Sequence, residues 1–177
     1  MADMNQNREA EQKKEAGCAT RHAARREVRR AAREAVFALL FETEYHPDEQ
    51  AEDILARAVE DRDIPTEEDY VRNVYLGIMA HRDEVDERIG RHAKGWRTNR
   101  LSRVSRAILR LGAYELMFVK STPTAVAINE AVELSKKFDD PKARAFINGV
   151  LNSVKNELAE GGKTEETSVS ADADDEA

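Results

Sequence analysis

From Val28 onward, apolar and polar positions recur with the period of a helix. Val28, Ala32, Ala35, Val36, Leu39 and Leu40 fall on one side, with Arg29, Arg30 and Arg33 on the other. Ala51, Ile54, Leu55, Ala58 and Val59 repeat the spacing between Pro47 and the acidic residues Asp61 and Asp63. After Pro65, the run Thr66-Glu-Glu-Asp69 predicts an N-terminal cap leading into Tyr70, Val71, Val74, Tyr75 and Ile78. Val85 and Ile89 mark a shorter helix that ends between Gly90 and Gly95. Residues 103–119 are apolar around most of the circumference (Val104, Ala107, Ile108, Leu111, Tyr114, Leu116, Met117), the pattern of a central helix. Thr122-Pro123 opens another, carrying Val126, Ala127, Ala131, Leu134 and Phe138. Asp140-Pro141 predicts a cap with proline at the first helical position, before a last helix bearing Phe146, Ile147, Val150, Leu151, Val154 and Leu158. Strand-type alternation is absent. The pattern predicts an all-α, single-domain bundle of six or seven helices.

The ends differ from this interior. Residues 1–23 have almost no aliphatic side chains beyond alanine, and residues 160–177 open on glycines and turn acidic. Neither segment can bury enough apolar surface to offset its ordering entropy, so both are expected to be disordered, leaving a domain at 24–159. Gly77, Gly112 and Gly149 sit among apolar helix positions, where each costs about 1 kcal/mol against alanine. Close helix–helix approach is the expected reason. Asn129 and Asn148 also fall inside apolar patterns, where bonding to a neighbouring loop backbone is expected.

Charge changes the picture only when it is mapped. The chain of 177 residues is 36% charged with a net charge of −7, which taken alone speaks against a nucleic-acid partner. Locally, residues 21–33 hold six arginines and one glutamate, a net +5. Residues 42–70 hold twelve acids against Arg57 and Arg62, a net −10. Residues 88–110 hold eight basic residues and no acid, a net +8, and residues 161–177 carry a net −5. Arginine dominates both basic blocks and suits phosphate forks and base stacking, so the blocks are candidates for RNA or DNA contact. The alternative is a set of solvated helix faces.

Other chemistry is sparse. His22, His46, His81 and His92 lack metal-ligand spacing, and neither a glycine-rich phosphate loop nor a hydrolase or zinc-protease motif occurs. Cys18 has no base beside it. No enzyme, metal or cofactor is therefore expected. The single cysteine cannot form an internal disulfide, and no apolar run spans a membrane, so a cytoplasmic location is expected.

From Trp96 onward the sequence carries four ordered motifs. These are Trp96-x-x-x-Arg100-Leu101, Arg106-Ala-Ile-Leu-Arg-Leu-Gly-Ala-Tyr-Glu-Leu116, Pro123-x-x-Val-Ala-Ile-Asn-Glu-Ala-Val-Glu-Leu134 and Phe146-Ile-Asn-Gly-Val-Leu151. Together they resemble the NusB family of bacterial transcription antitermination factors. Arg29-Arg-Ala-Ala-Arg-Glu-Ala-Val-Phe-Ala-Leu39 is similar to that family's arginine-rich first helix, and Tyr70, Gly77 and Asp86-x-x-Ile89 fit its middle section. The resemblance implies a small helical RNA binder that pairs with the ribosomal protein NusE and recognises the boxA element of ribosomal RNA leaders. It further implies joining RNA polymerase and other Nus factors in an antitermination complex, without catalysis. Carried over by position, the RNA contacts are Arg25, Arg26, Arg29, Arg30 and Arg33, with Lys142 and Phe146 at the start of the last helix. For Phe146 a core position is the equal alternative, and Trp96 is expected to be a packing anchor. The first helix departs from the family pattern, with Phe37 and Phe41 where a glutamine and a later tyrosine are common.

Two other readings stay open. Some ribosomal RNA cytosine methyltransferases begin with a NusB-like domain, but that reading needs a glycine-rich cofactor domain downstream, where this sequence runs into its acidic tail. A helical adaptor that binds only protein is the other. The family includes monomers and dimers, and a homodimer could cover the RNA face.

Overall fold

The computed structural model describes residues 2–61, 64, 67–93 and 101–168, with side chains from Thr20 to Gly161 except His22. Most of the expected disordered extension (1–23) and acidic tail (160–177) therefore lies outside the described side chains. Lys94, Trp96, Arg97 and Arg100 lie outside the described residues altogether.

Seven helices form, and no strand occurs among the described residues. They are α1 (Ala2–Thr43), α2 (Ala51–Glu60), α3 (Glu68–Ala80), α4 (Arg82–His92), α5 (Arg103–Phe118), α6 (Thr124–Phe138) and α7 (Ala143–Ser168). The start of α7 differs in detail from the sequence expectation, while Pro65 and Thr66 of the expected α3 cap lie outside the described residues. The N-cap of α3 is Glu67, without a side-chain cap bond. Asp140 does accept a backbone bond, from Lys142 N–H at 2.8 Å, but this closes a turn and α7 begins only at Ala143. Ser102 caps α5 by accepting the Ser105 N–H at 2.9 Å.

α5 is the hub of the bundle, packing against α1, α3, α4, α6 and α7. Its Ile108, Leu109 and Leu111 are buried with Val36 and Leu40 of α1, Ile78 of α3, Ile89 of α4, Leu134 of α6 and Leu151 of α7. Gly112 and Gly77 explain two close approaches. A Cβ at Gly112 would stand 2.8 Å from the Leu151 side chain, and one at Gly77 would collide with the Tyr114 ring and hydroxyl. Gly149 corrects the third expectation: it is exposed on α7, and a Cβ there would meet nothing within 4 Å.

Charge is also part of the core. Arg110 on α5 forms a two-pronged bond to Asp86 of α4, both prongs 2.7 Å, and a third bond to Glu44 after α1. Glu44 also receives Arg106 at 2.7 Å. Burial works against the Arg110 charge, but the Asp86 and Glu44 bonds more than offset it and hold the guanidinium above its ordinary value. The family-like residues Asp86, Arg106 and Arg110 thus fasten the bundle.

Candidate nucleic-acid interface

Arginines projecting from α1 define the candidate surface, and their environments divide them sharply. Arg25 and Arg26 are exposed and have no ion-pair partner among the described residues. Among the described residues, no carboxylate competes with a phosphate for their donors. Arg29 is half-exposed, pairs with Glu67 at 2.7 Å and sits over the Tyr70 ring, 4.2 Å from its centre. Arg30 is also half-exposed and forks onto Glu130 of α6, both bonds 3.2 Å.

Arg33 is a correction to the expected contact set. It is only 3% exposed, and its guanidinium grips Glu115 of α5 at 2.9–3.1 Å. Burial opposes the Arg33 charge, and the Glu115 hydrogen bond and carboxylate outweigh it, so its pKa lies above the ordinary value. Tyr70 completes this buried cluster by donating its hydroxyl to Glu115 at 2.7 Å. Burial first, and then the Glu115 charge, push the Tyr70 hydroxyl well above the usual phenol range. Arg33 therefore serves the α1–α5 junction and offers no donor to a ligand.

The seam between α1 and α6 continues the surface. Lys137 pairs with Glu34 at 2.6 Å, and the Phe138 ring stacks on Phe37 with centres 4.8 Å apart. Lys142 is exposed in the turn before α7, and Phe146 is half-buried against the core, a position that joins packing to partial access.

Among its described residues, the second basic block is not a free basic face. Arg88 and Arg91 converge with His92 on Glu157 of α7, and Arg106 and Arg110 serve the internal network. Arg103 differs: it is exposed, has no carboxylate partner among the described residues, and lies over the Tyr45 ring at 4.3 Å. Sequence reasoning missed this pair. The spacing of Phe37, Phe41 and Tyr45, four residues apart each time, was the available signal.

Asn129 and Asn148 also depart from expectation. Both are exposed, and Asn148 accepts from the Asn152 amide at 2.9 and 3.1 Å, within α7 and not from a loop. They line a groove between α6 and α7 with Arg144 and Lys155.

Residues 27–156 match the NusB family. The chain belongs to the NusB family. It is 38% identical over 130 residues to the transcription antitermination protein NusB of Bacillus subtilis (strain 168), an alignment covering 73% of this chain and 96% of that relative. Among solved structures it is similar to T. maritima NusB, with a TM-score of 0.68 and 37% identity over 73% of this chain and 91% of that one. A chain in the crystal structure of antitermination factors NusB and NusE in complex with dsRNA matches with a TM-score of 0.66 and 30% identity, covering 73% of this chain and 97% of that one. Within this NusB-family fold, Arg33, Asp86, Arg106, Arg110, Glu115 and Glu130 of the family-like motifs pair internally. Outward cations among the described residues include those of α1, the α6–α7 end, Arg82, Lys120 and Arg103.

Proposed function

We propose that this chain acts as a transcription antitermination factor. It binds boxA RNA of ribosomal RNA operons together with NusE and joins RNA polymerase and other Nus factors in the antitermination complex. The observation that carries this reading is membership of the NusB family across residues 27–156, with a structural counterpart in a complex of NusB, NusE and RNA. That span also supports residues 24–159 as the functional domain.

Arg25 and Arg26 are the primary phosphate contacts, because both are exposed and have no ion-pair partner among the described residues. Arg29 and Arg30 contribute where RNA displaces or shares their carboxylates, while Lys142 and Phe146 add a cation and an aromatic edge. The role is one of binding, without catalysis, in the cytoplasm. No helix among the described residues is long and apolar enough to cross a membrane.

Fluorescence anisotropy with a boxA RNA and a scrambled control, with and without NusE and at two salt concentrations, tests the reading. Preference for boxA, weakening steeply with salt, is the expected result. Equal binding to both RNAs would sink sequence-specific recognition, and binding to neither would favour a protein-only adaptor.

A further inference from the structure

Aromatic contacts run unbroken from the α1–α6 seam to the far end of α1. Phe138, 40% exposed with Lys137 Nζ 5.1 Å from its ring centre, stacks on Phe37. Phe37 meets Phe41 at 6.1 Å, and Phe41 meets Tyr45 edge-on at 5.2 Å. Tyr45 ends the ladder 54% exposed, with the Arg103 guanidinium over its ring. The inner rings of such a ladder pack the bundle, yet both ends open to solvent and each end has a cation above its ring.

Burial cannot explain Tyr45 and Arg103, since both are exposed. Ion pairing cannot explain Arg103, the described arginine of the second basic block that has no carboxylate partner. A guanidinium over an exposed phenol ring is instead the kind of surface on which an unpaired base stacks. Three of the carboxylates flanking Tyr45 are already paired, while Asp48 is exposed and unpaired among the described residues. Glu44 is held by Arg106 and Arg110, and Glu42 and Glu49 are both held by Arg57. Along α1, about 22 Å of helix separates Arg26 from Phe41, the ring that meets Tyr45.

We propose that Tyr45 and Arg103 form a base-stacking platform for an unpaired nucleotide flanking the RNA element that α1 binds. The platform rests on the RNA-binding reading above and extends its contact path to the end of α1, beyond Arg25 and Arg26. Stacking tolerates any base, so the platform adds affinity for flanking single strand and leaves sequence choice elsewhere.

The test uses the full chain with NusE and a single-stranded boxA RNA carrying 2-aminopurine at each flanking position in turn. In the parent protein, fluorescence should be quenched at one flanking position. Tyr45→Ala should abolish that quenching and weaken binding roughly 5- to 100-fold, whereas Tyr45→Phe should retain both. Arg103→Gln should lose part of the affinity. Unchanged thermal unfolding confirms that the exposed substitutions leave the fold intact. If Tyr45→Ala binds RNA as the parent does while the double variant Arg25→Gln, Arg26→Gln weakens, the platform is refuted and RNA binding stands. Should Tyr45→Ala alter only NusE binding or self-association, the surface belongs to a protein contact and the inference fails. Failure of the parent to bind any RNA overturns both.

Discussion

Arg33 of α1 and Glu115 of α5 face each other in the interior, the guanidinium Nε 3.0 and 3.1 Å from the two carboxylate oxygens. Both side chains are almost wholly removed from water, at 4% and 1% exposure. Removing one partner strands the other as an uncompensated buried charge. Glu115→Ala should therefore lower unfolding free energy by about 3–5 kcal/mol, measured by urea denaturation. Replacing the whole cluster with apolar residues (Arg33→Met, Glu115→Leu and Tyr70→Phe together) should recover most of that loss. A Glu115→Ala protein as stable as the parent would show that the pair contributes nothing.

Arg25 and Arg26 supply a different measurement, the dependence of RNA affinity on salt. If each neutralises one phosphate of a single strand, Arg25→Gln with Arg26→Gln should reduce the slope of log K against log salt by about 1.4. Thermal stability should not move, because neither residue has an ion-pair partner among the described residues. An unchanged slope would place the phosphate contacts elsewhere.

The glycines give opposite forecasts. Gly77→Ala drives a methyl group into Tyr114 and should destabilise the fold by about 1–3 kcal/mol, with partial rescue by Tyr114→Phe. Gly149→Ala meets open space within α7 and should stabilise it by about 0.5–1 kcal/mol, visible as a raised melting temperature.

Glu157 of α7 is met by His92 at 2.6 Å, Arg91 at 2.9 Å and Arg88 at 3.3 Å, all from α4. The His92 bond, followed by that of Arg91, holds its carboxyl below the ordinary glutamate value. A carboxyl lowered in the folded state stabilises fully above its unfolded value, and that contribution disappears as pH falls through the folded value. The difference in urea midpoint between the parent and Glu157→Gln should thus be constant near neutrality and shrink below the ordinary glutamate range. A difference that persists undiminished to about pH 3 would rule out the ionised carboxylate as its source.

Helix period exposed most of this architecture in advance because the stripes on α2, α5 and α7 are long and regular. The interior charges were invisible to that method. Arg33 scores as polar, and its partner lies 82 residues away inside the apolar run of α5. Arg106 and Arg110 likewise looked like members of a basic face, when their partners sit on α4 and just after α1. Asn129 and Asn148 misled in the opposite direction: their apolar neighbours occupy adjacent faces, leaving the amides at the solvent edge of the α6–α7 groove. Local pattern reports which side of a helix is greasy, whereas pairing between distant segments depends on the assembled bundle.

The inward turn of Arg33, Arg106 and Arg110 bears on selectivity among the many polyanions of a cell. Each guanidinium matched by a carboxylate within the fold releases no counterions when the protein meets an arbitrary nucleic acid. The chain's grip on unrelated nucleic acid is therefore set by its outward cations and not by its full arginine content. A weak background of indiscriminate attachment lets modest sequence-dependent contacts determine where the protein resides.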